Sequence, residues 1–215
     1  LPPGRQRVDT FAVRENMRGR INNFIRAQVK EGRQVFIVCP MVEEGEILGG
    51  NVKSAKEYAQ NLQKNVFPDL RIGLIHGKMK AKDKEAAMAG FVSGNVDILV
   101  STTVIEVGVD VPNASLMVVE NADRFGLSQL HQLRGRVGHH KSYCVLFDGG
   151  DGETSGERLK VMCRTYDGFK ISEEDLRLRG PGDFFGSRQH GLPEMKIANF
   201  LTDMGLLKKA QKAAS

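Results

Sequence analysis

At 215 residues, with 40% apolar content, the chain is long enough for one large domain, or one domain plus a small appendage, around a real core. A formal charge of +5 permits a polyanionic partner without demanding one. Three separated cysteines with no CxxC argue against a disulfide framework or a zinc site and suit reduced thiols in the cytosol, and the longest apolar run, VFIVCPMV, is far short of the roughly 20 residues that span a bilayer.

The opening LPPGRQRV has no signal-peptide layout and no initiator Met, so the sequence reads as part of something longer. From Phe11 to Lys30, apolar residues at Val13, Met17, Ile21, Phe24, Ile25 and Val29 have helical spacing. QVFIVCP is a β-rich run closed by Pro40, and the polar EEGEILGGN reads as a loop. A helix is predicted for Val52 to Asn65, a strand for Arg71 to Ile75 and a helix for Lys80 to Val92. VDILVST and SLMVVEN are strands, Leu127 to Leu133 a short helix, and YCVLF a last strand. Alternation of this kind predicts an α/β fold, a mostly parallel sheet with helices on both faces.

After Phe147 the texture changes. A polar loop is followed by predicted helices over Glu157 to Arg164 and Ser172 to Leu178. The second has Ser172 before Glu173, Glu174 and Asp175, the acids that favour a helix N-terminus. RGPGDFFGSRQHGLPEM reads as a glycine- and proline-rich loop, and Met195 to Ala214 as helix. The expected division is an α/β domain at 1–148 and a helical appendage at 149–215.

Sheets of this class bind ligands beyond the carboxyl ends of their strands. STTVIEVGVDVPNA follows one strand there: Ser101, Thr102 and Thr103 offer hydroxyls and N–H groups to a phosphate, Gly108 allows close approach, and Asp110 can accept from a ribose or hold an arginine. A strand closing in a serine–threonine turn is the plainer alternative for the threonines. In HQLRGRVG, Arg134 and Arg136 flank Gly135; they suit either a nucleotide phosphate or a surface ion pair with Glu106, Glu120 or Asp123. In GLIHGKMKAKDKE, His76 ends a strand, and Lys78, Lys80, Lys82 and Lys84 give basic reach toward a nucleic-acid backbone. His76 is as readily a structural hydrogen-bonder. The sequence contains no GxxxxGK[ST] phosphate loop and no DEAD-type acidic box.

These motifs carry a resemblance. VDILVSTTVIEVGVDVPNA resembles motif V of superfamily 2 helicases, and QLHQLRGRVG resembles their motif VI. VENADRFGLSQLHQLRGRVG with SYCVLF resembles the RecG family of bacterial ATP-dependent DNA helicases, and DGFKISEEDLRLRGPGDFFGSRQHGLPEMKIANF resembles the helical hairpin and loop shared by RecG and the transcription-repair coupling factor. The resemblance implies a second RecA-like motor domain of a monomeric, cytoplasmic, nucleoid-associated enzyme that hydrolyses ATP and translocates on branched double-stranded DNA at stalled forks. The first motor domain and a wedge domain of the same parent would be its partners, and ATP with Mg²⁺ would sit mainly on that first domain. By itself the fragment is then expected to be inactive.

By motif position, Gly108 and Asp110 would face the nucleotide, and Gln132 and Arg136 would reach across to ATP as the catalytic pair. Thr102, Thr103 and His76 would lie near DNA. Arg179, Arg188 and Gln189 would couple cleft closure to movement. A coupling-factor translocase, or a non-catalytic nucleotide- or nucleic-acid-binding module, is the alternative. One departure stands out: motif VI runs Q-x-x-G-R-x-G-R, but after Gly138 this chain has His139, which is mostly neutral at pH 7 and no substitute for a guanidinium. Either the second arginine is truly missing or a loop carrying it is omitted; omission is favoured here, because such a loop should be mobile.

Overall fold

Short apolar runs that are buried on both faces can satisfy their backbone only by pairing with one another, and six do so. The computed structural model describes residues 6–40, 55–102, 111–150 and 153–179. The strands are β1 (Val8–Val13), β2 (Gln34–Val38), β3 (Ile72–Ile75), β4 (Ile98–Ser101), β5 (Ala114–Val119) and β6 (Ser142–Phe147). They form one sheet in the order β1-β6-β5-β2-β4-β3, and every pairing is parallel. The helices are α1 (Arg18–Lys30), α2 (Ala55–Asn61), α3 (Ala81–Val92), α4 (Leu127–Arg134), α5 (Glu153–Arg164) and α6 (Gly168–Arg179). The expected α/β architecture is thus the one observed.

Alternation within the buried strands divides the core in two. Val35, Ile37, Ile98, Val100, Leu116, Val118, Val145 and Phe147 point to one face and meet Ile25 of α1 and Ala55 and Ala59 of α2. Phe36, Val38, Leu99, Met117, Val119, Cys144 and Leu146 point to the other. They meet Met88 and Phe91 of α3, Leu127, Leu130 and Leu133 of α4, Leu159 and Met162 of α5, and Ile171 of α6. Helices therefore cover both faces, as the near-continuous apolar strands require. Cys39 and Cys144 are buried free thiols and Cys163 is half-buried.

Two predicted elements differ. Phe11 to Val13 belong to β1, not to the first helix, which begins at Arg18 after a short 3₁₀ turn. The helical spacing there was carried partly by Val13, which instead packs on the sheet, in register with Phe147. Pairing with β6 overrides local periodicity. Ser172 is not a cap: α6 already begins at Gly168, where the Asp167 carboxylate accepts from the Phe169 N–H at 3.0 Å. The predicted EEGEILGGN loop and the Met195 to Ala214 helix lie outside the described residues. Packing groups the chain into Leu1–Leu178 and Arg179–Ser215, a break thirty residues beyond the expected 148/149 division; only the first unit is described below.

Phe91 is fully buried, and its ring lies 4.7 Å from that of Phe36, edge to face. Phe91→Ala should lower the unfolding free energy by about 3–5 kcal/mol in a urea titration; a loss below about 1 kcal/mol would show that this core relaxes into the space.

Candidate functional site

The candidate residues fall on two opposite edges of the sheet. Because all strands are parallel, their carboxyl ends share one edge. There the strand order sets Glu120, Cys39, Thr102 and His76 side by side: Glu120 N–H donates to Val38 O at 2.8 Å, Cys39 N–H to Ser101 O at 2.8 Å and Thr102 N–H to Ile75 O at 3.2 Å. Thr102 and His76 are thereby neighbours, both half-buried. His76 sits in a tight turn, with Met79 N–H donating to His76 O at 3.1 Å. Just after it, Lys84 Nζ donates to Gly77 O at 3.0 Å near the start of α3.

A polar cleft of about 620 Å³ opens on this edge toward α1 and α2, lined by Arg14, Arg18, Tyr58, Glu120, Asn121 and Asp148 among others. At its floor the Glu120 carboxylate accepts from Arg18 Nη1 and Nη2 at 2.5 and 2.8 Å and from the Tyr58 hydroxyl at 2.7 Å. The Arg18 guanidinium also binds Glu15 and lies 3.6 Å from the centre of the Phe147 ring. Burial alone would lower the pKa of Arg18, but the hydrogen bonds with Glu120 and Glu15 more than offset it and hold the cation above its ordinary value. Burial, and then the Glu120 charge, push the Tyr58 and Cys39 groups up, so both stay protonated.

The motif VI residues are elsewhere. Helix α4 starts beside the carboxyl edge and runs back across the sheet, a rise of about 12 Å for eight residues. Its exit lies at the amino edge, where Gly138 O accepts from Gln6 N–H at 2.6 Å, just ahead of β1. The expected position of both arginines near a strand mouth is therefore corrected: a crossover helix must return to the amino edge before the next parallel strand can begin. Gln132 is exposed on α4, and Arg136 is half-buried just after it. Gly138 has φ +124°, which only glycine adopts readily.

Arg134 forms an ion pair with neither Glu120 nor Asp123. It is 1% exposed. Its Nη1 donates to Met162 O at 2.7 Å and Thr165 O at 3.1 Å, the carbonyls at the end of α5. Its Nη2 meets His131 Nδ1 at 2.9 Å, and its guanidinium lies 3.9 Å from the centre of the Tyr166 ring. The Tyr166 hydroxyl in turn donates to Val8 O. A cation at a helix C-terminus satisfies both the orphan carbonyls and the helix dipole. Of the carboxylates considered from sequence, Glu120 belongs to Arg18 and the Asp123 carboxylate accepts from the Gly149 N–H. The Arg18–Glu120–Tyr58 network had no sequence signal, since its members lie on three separate elements. Arg179 ends α6, with its side chain outside the described residues; Thr103, Glu106, Gly108, Asp110, Arg188 and Gln189 also lie outside them.

A match to the helicase conserved C-terminal domain covers residues 18–141, more than half of the chain. The chain belongs to that family. Residues 165–215 match the C-terminal part of domain 3 of the ATP-dependent DNA helicase RecG. This helicase domain is 50% identical to RecG of Synechocystis sp., over 100% of the chain and 26% of that protein. It is 50% identical to RecG of Thermotoga maritima, over 99% and 27%, and 47% identical to RecG of Bacillus subtilis, over 100% and 32%. The chain thus spans about a quarter to a third of the length of these relatives. Among solved structures it is similar to RecG bound to a three-way DNA junction, at 46% identity and TM-score 0.72 over 97% of this chain and 26% of that one. Domain 2 of the DEAD-box helicase Mss116p, at 21% identity and TM-score 0.55 over 80% of this chain and 69% of that one, shares the fold.

His139, where motif VI has arginine, lies in the short stretch between α4 and β6. Among the described residues no three His, Cys, Asp or Glu side chains come together as metal ligands, and no helix is long and apolar enough to cross a membrane.

Two predictions follow from the Arg134 clamp. Arg134→Ala orphans two carbonyls and leaves a cavity, so the unfolding free energy should fall by about 3 kcal/mol, and Arg134→Lys, which cannot span both carbonyls, should lose about half as much. A loss below about 1 kcal/mol for the alanine variant in chemical denaturation would show that the clamp contributes little. Burial, and then the Arg134 charge, hold the His131 pKa below the ordinary 6.5. The unfolded chain therefore binds that proton more readily, and stability is unaffected well above pH 6.5 but falls as pH drops below it. Wild type should lose more melting temperature between pH 7.5 and 5.5 than His131→Asn does; parallel curves would remove His131 as the titrating group.

Proposed function

We propose that this chain is the second motor domain of an ATP-dependent double-stranded DNA translocase that remodels branched DNA such as stalled forks and recombination intermediates. The observation that carries this reading is the placement of Arg136: a guanidinium in a Q-x-x-G-R-x-G motif, at the exit of a short helix that a buried neighbouring arginine pins in place. A finger arginine needs that rigidity, because it acts on charge that appears only in the transition state.

In this reading the two edges divide the work. The amino edge presents Gln132 and Arg136 to ATP held on a preceding motor domain of the same parent chain. The carboxyl edge presents Thr102 and His76 toward the DNA backbone. Thr103, Gly108 and Asp110 take the roles expected of motif V; residues 149–215, with Arg179, Arg188 and Gln189, couple the two. Mg²⁺, which neutralises the phosphates when bound, would rest mainly on the preceding domain. The RecG proteins to which the chain is similar are described as ATP-dependent DNA helicases, and one was solved on a three-way junction. That supports DNA over RNA and a branched substrate over a linear one.

The test is turnover of the full-length parent on a branched duplex. Arg136→Ala should leave ATP binding within about threefold and cut kcat by about 10³-fold or more, the range credited to such fingers. A loss of less than about tenfold would remove Arg136 from that role.

A further inference from the structure

Glu120 ends β5 and is the residue from which the chain departs toward α4. It is 6% exposed, and its carboxylate is shared by a donor from α1 and a donor from α2. Both helices cover the sheet face opposite to α4. Asn121, next in sequence, has φ +46° and ψ +51°, the one non-glycine with positive φ among the described residues. The chain thus turns sharply at an anchored point. It then makes a 3₁₀ turn at Ala122–Arg124 and enters α4 at Gly126, whose N–H donates to Gln129 Oε1 at 3.0 Å. Beside this turn Gly149 N–H donates to the Asp123 carboxylate at 2.8 Å, and a Cβ on Gly149 would fall 2.2 Å from Asn121 Nδ2.

The leucines beneath α4 hold it against the sheet. Apolar contact is non-directional, however, and resists sliding or tilting poorly. Directional bonds are needed to fix the helix along its own axis. At the exit Arg134 supplies them. On the entry side Glu120 anchors the chain six residues ahead of Gly126 through bonds to α1 and α2, and Arg158 of α5 donates to Asp123 O and Phe125 O in between.

We propose that Glu120, with Arg18 and Tyr58, is a positioning device for Arg136, acting through α4 as a rod from the carboxyl-edge cleft to the amino edge. This rests on the finger role proposed above. Release of the Glu120 anchor lets the entry of α4 shift, and the shift reaches Arg136 at the far end. Misplacement of a reacting group by about 1 Å from a distant change can cost up to about 10²-fold in rate.

The experiment is a double-mutant cycle on the full-length parent, reading kcat and KM for ATP with DNA present. Glu120→Gln should lower kcat about tenfold with KM changed less than about twofold, and Tyr58→Phe, which removes only one donor, should lower it about threefold. In an Arg136→Ala background the same two substitutions should each change kcat by less than about twofold, because the group they position is gone. An equal fold-loss in both backgrounds would overturn the proposal and leave Glu120 with a merely structural role, as would an unchanged kcat for Glu120→Gln. If Arg136→Ala by itself changes kcat less than about tenfold, it is the finger role that fails. Should Glu120→Gln not fold, Tyr58→Phe carries the cycle unaided.

Discussion

Parallel pairing of all six strands is the constraint on which the rest of this molecule depends. A parallel strand can follow its neighbour only after the chain has crossed back over the sheet. Each crossing helix therefore begins near the carboxyl edge and ends near the amino edge. Helix α4 makes that crossing between β5 and β6, so the residues that leave β5 and those that precede β6 are held apart by the height of the sheet. The separation of those two edges is a consequence of the pairing, not an addition to it.

The polar groups of the interior make sense against that constraint. The apolar faces supply most of the driving force for folding, yet they do not choose between closely related placements of a helix. Arg134 and Glu120 do. Each is a charged group taken almost wholly out of water, and each is fully engaged: Arg134 by two carbonyls, an imidazole and an aromatic ring, Glu120 by a guanidinium fork and a phenol. Buried charges cost too much to survive without such partners. Arg134 closes α4, and Glu120 anchors the chain between β5 and that helix.

For a helicase C-terminal domain this arrangement is economical in moving parts. In the proposed reading the finger arginine needs no loop closure of its own, because it follows directly on a helix already locked to α5. His139, where the motif has a second arginine, leaves Arg136 as the one guanidinium at the matched finger positions.

The motif residues could be picked out in the sequence because motif VI is local: Gln132, Gly135, Arg136 and Gly138 fall within a few residues of one another. So could the strands β2 to β6, whose apolar runs are bounded by turns and are too short for helices. β1 was misread because Val13 satisfies a helical pattern and a strand alike, and pairing with β6, distant in sequence, decided it. The role of Arg134 was not legible: its spacing from Arg136 made the two look alike, and only the packing of α5 and Tyr166 against α4 turned one of them inward. Nor was the Arg18–Glu120–Tyr58 network, whose members come from three elements. The sequence by itself determined the elements, the parallel class of the sheet and the motif residues, because propensity, periodicity and motif spacing are properties of neighbours along the chain. The tertiary structure alone decided which edge the two ends of α4 occupy and which arginine is buried, because those depend on groups that meet only after the chain has crossed the sheet.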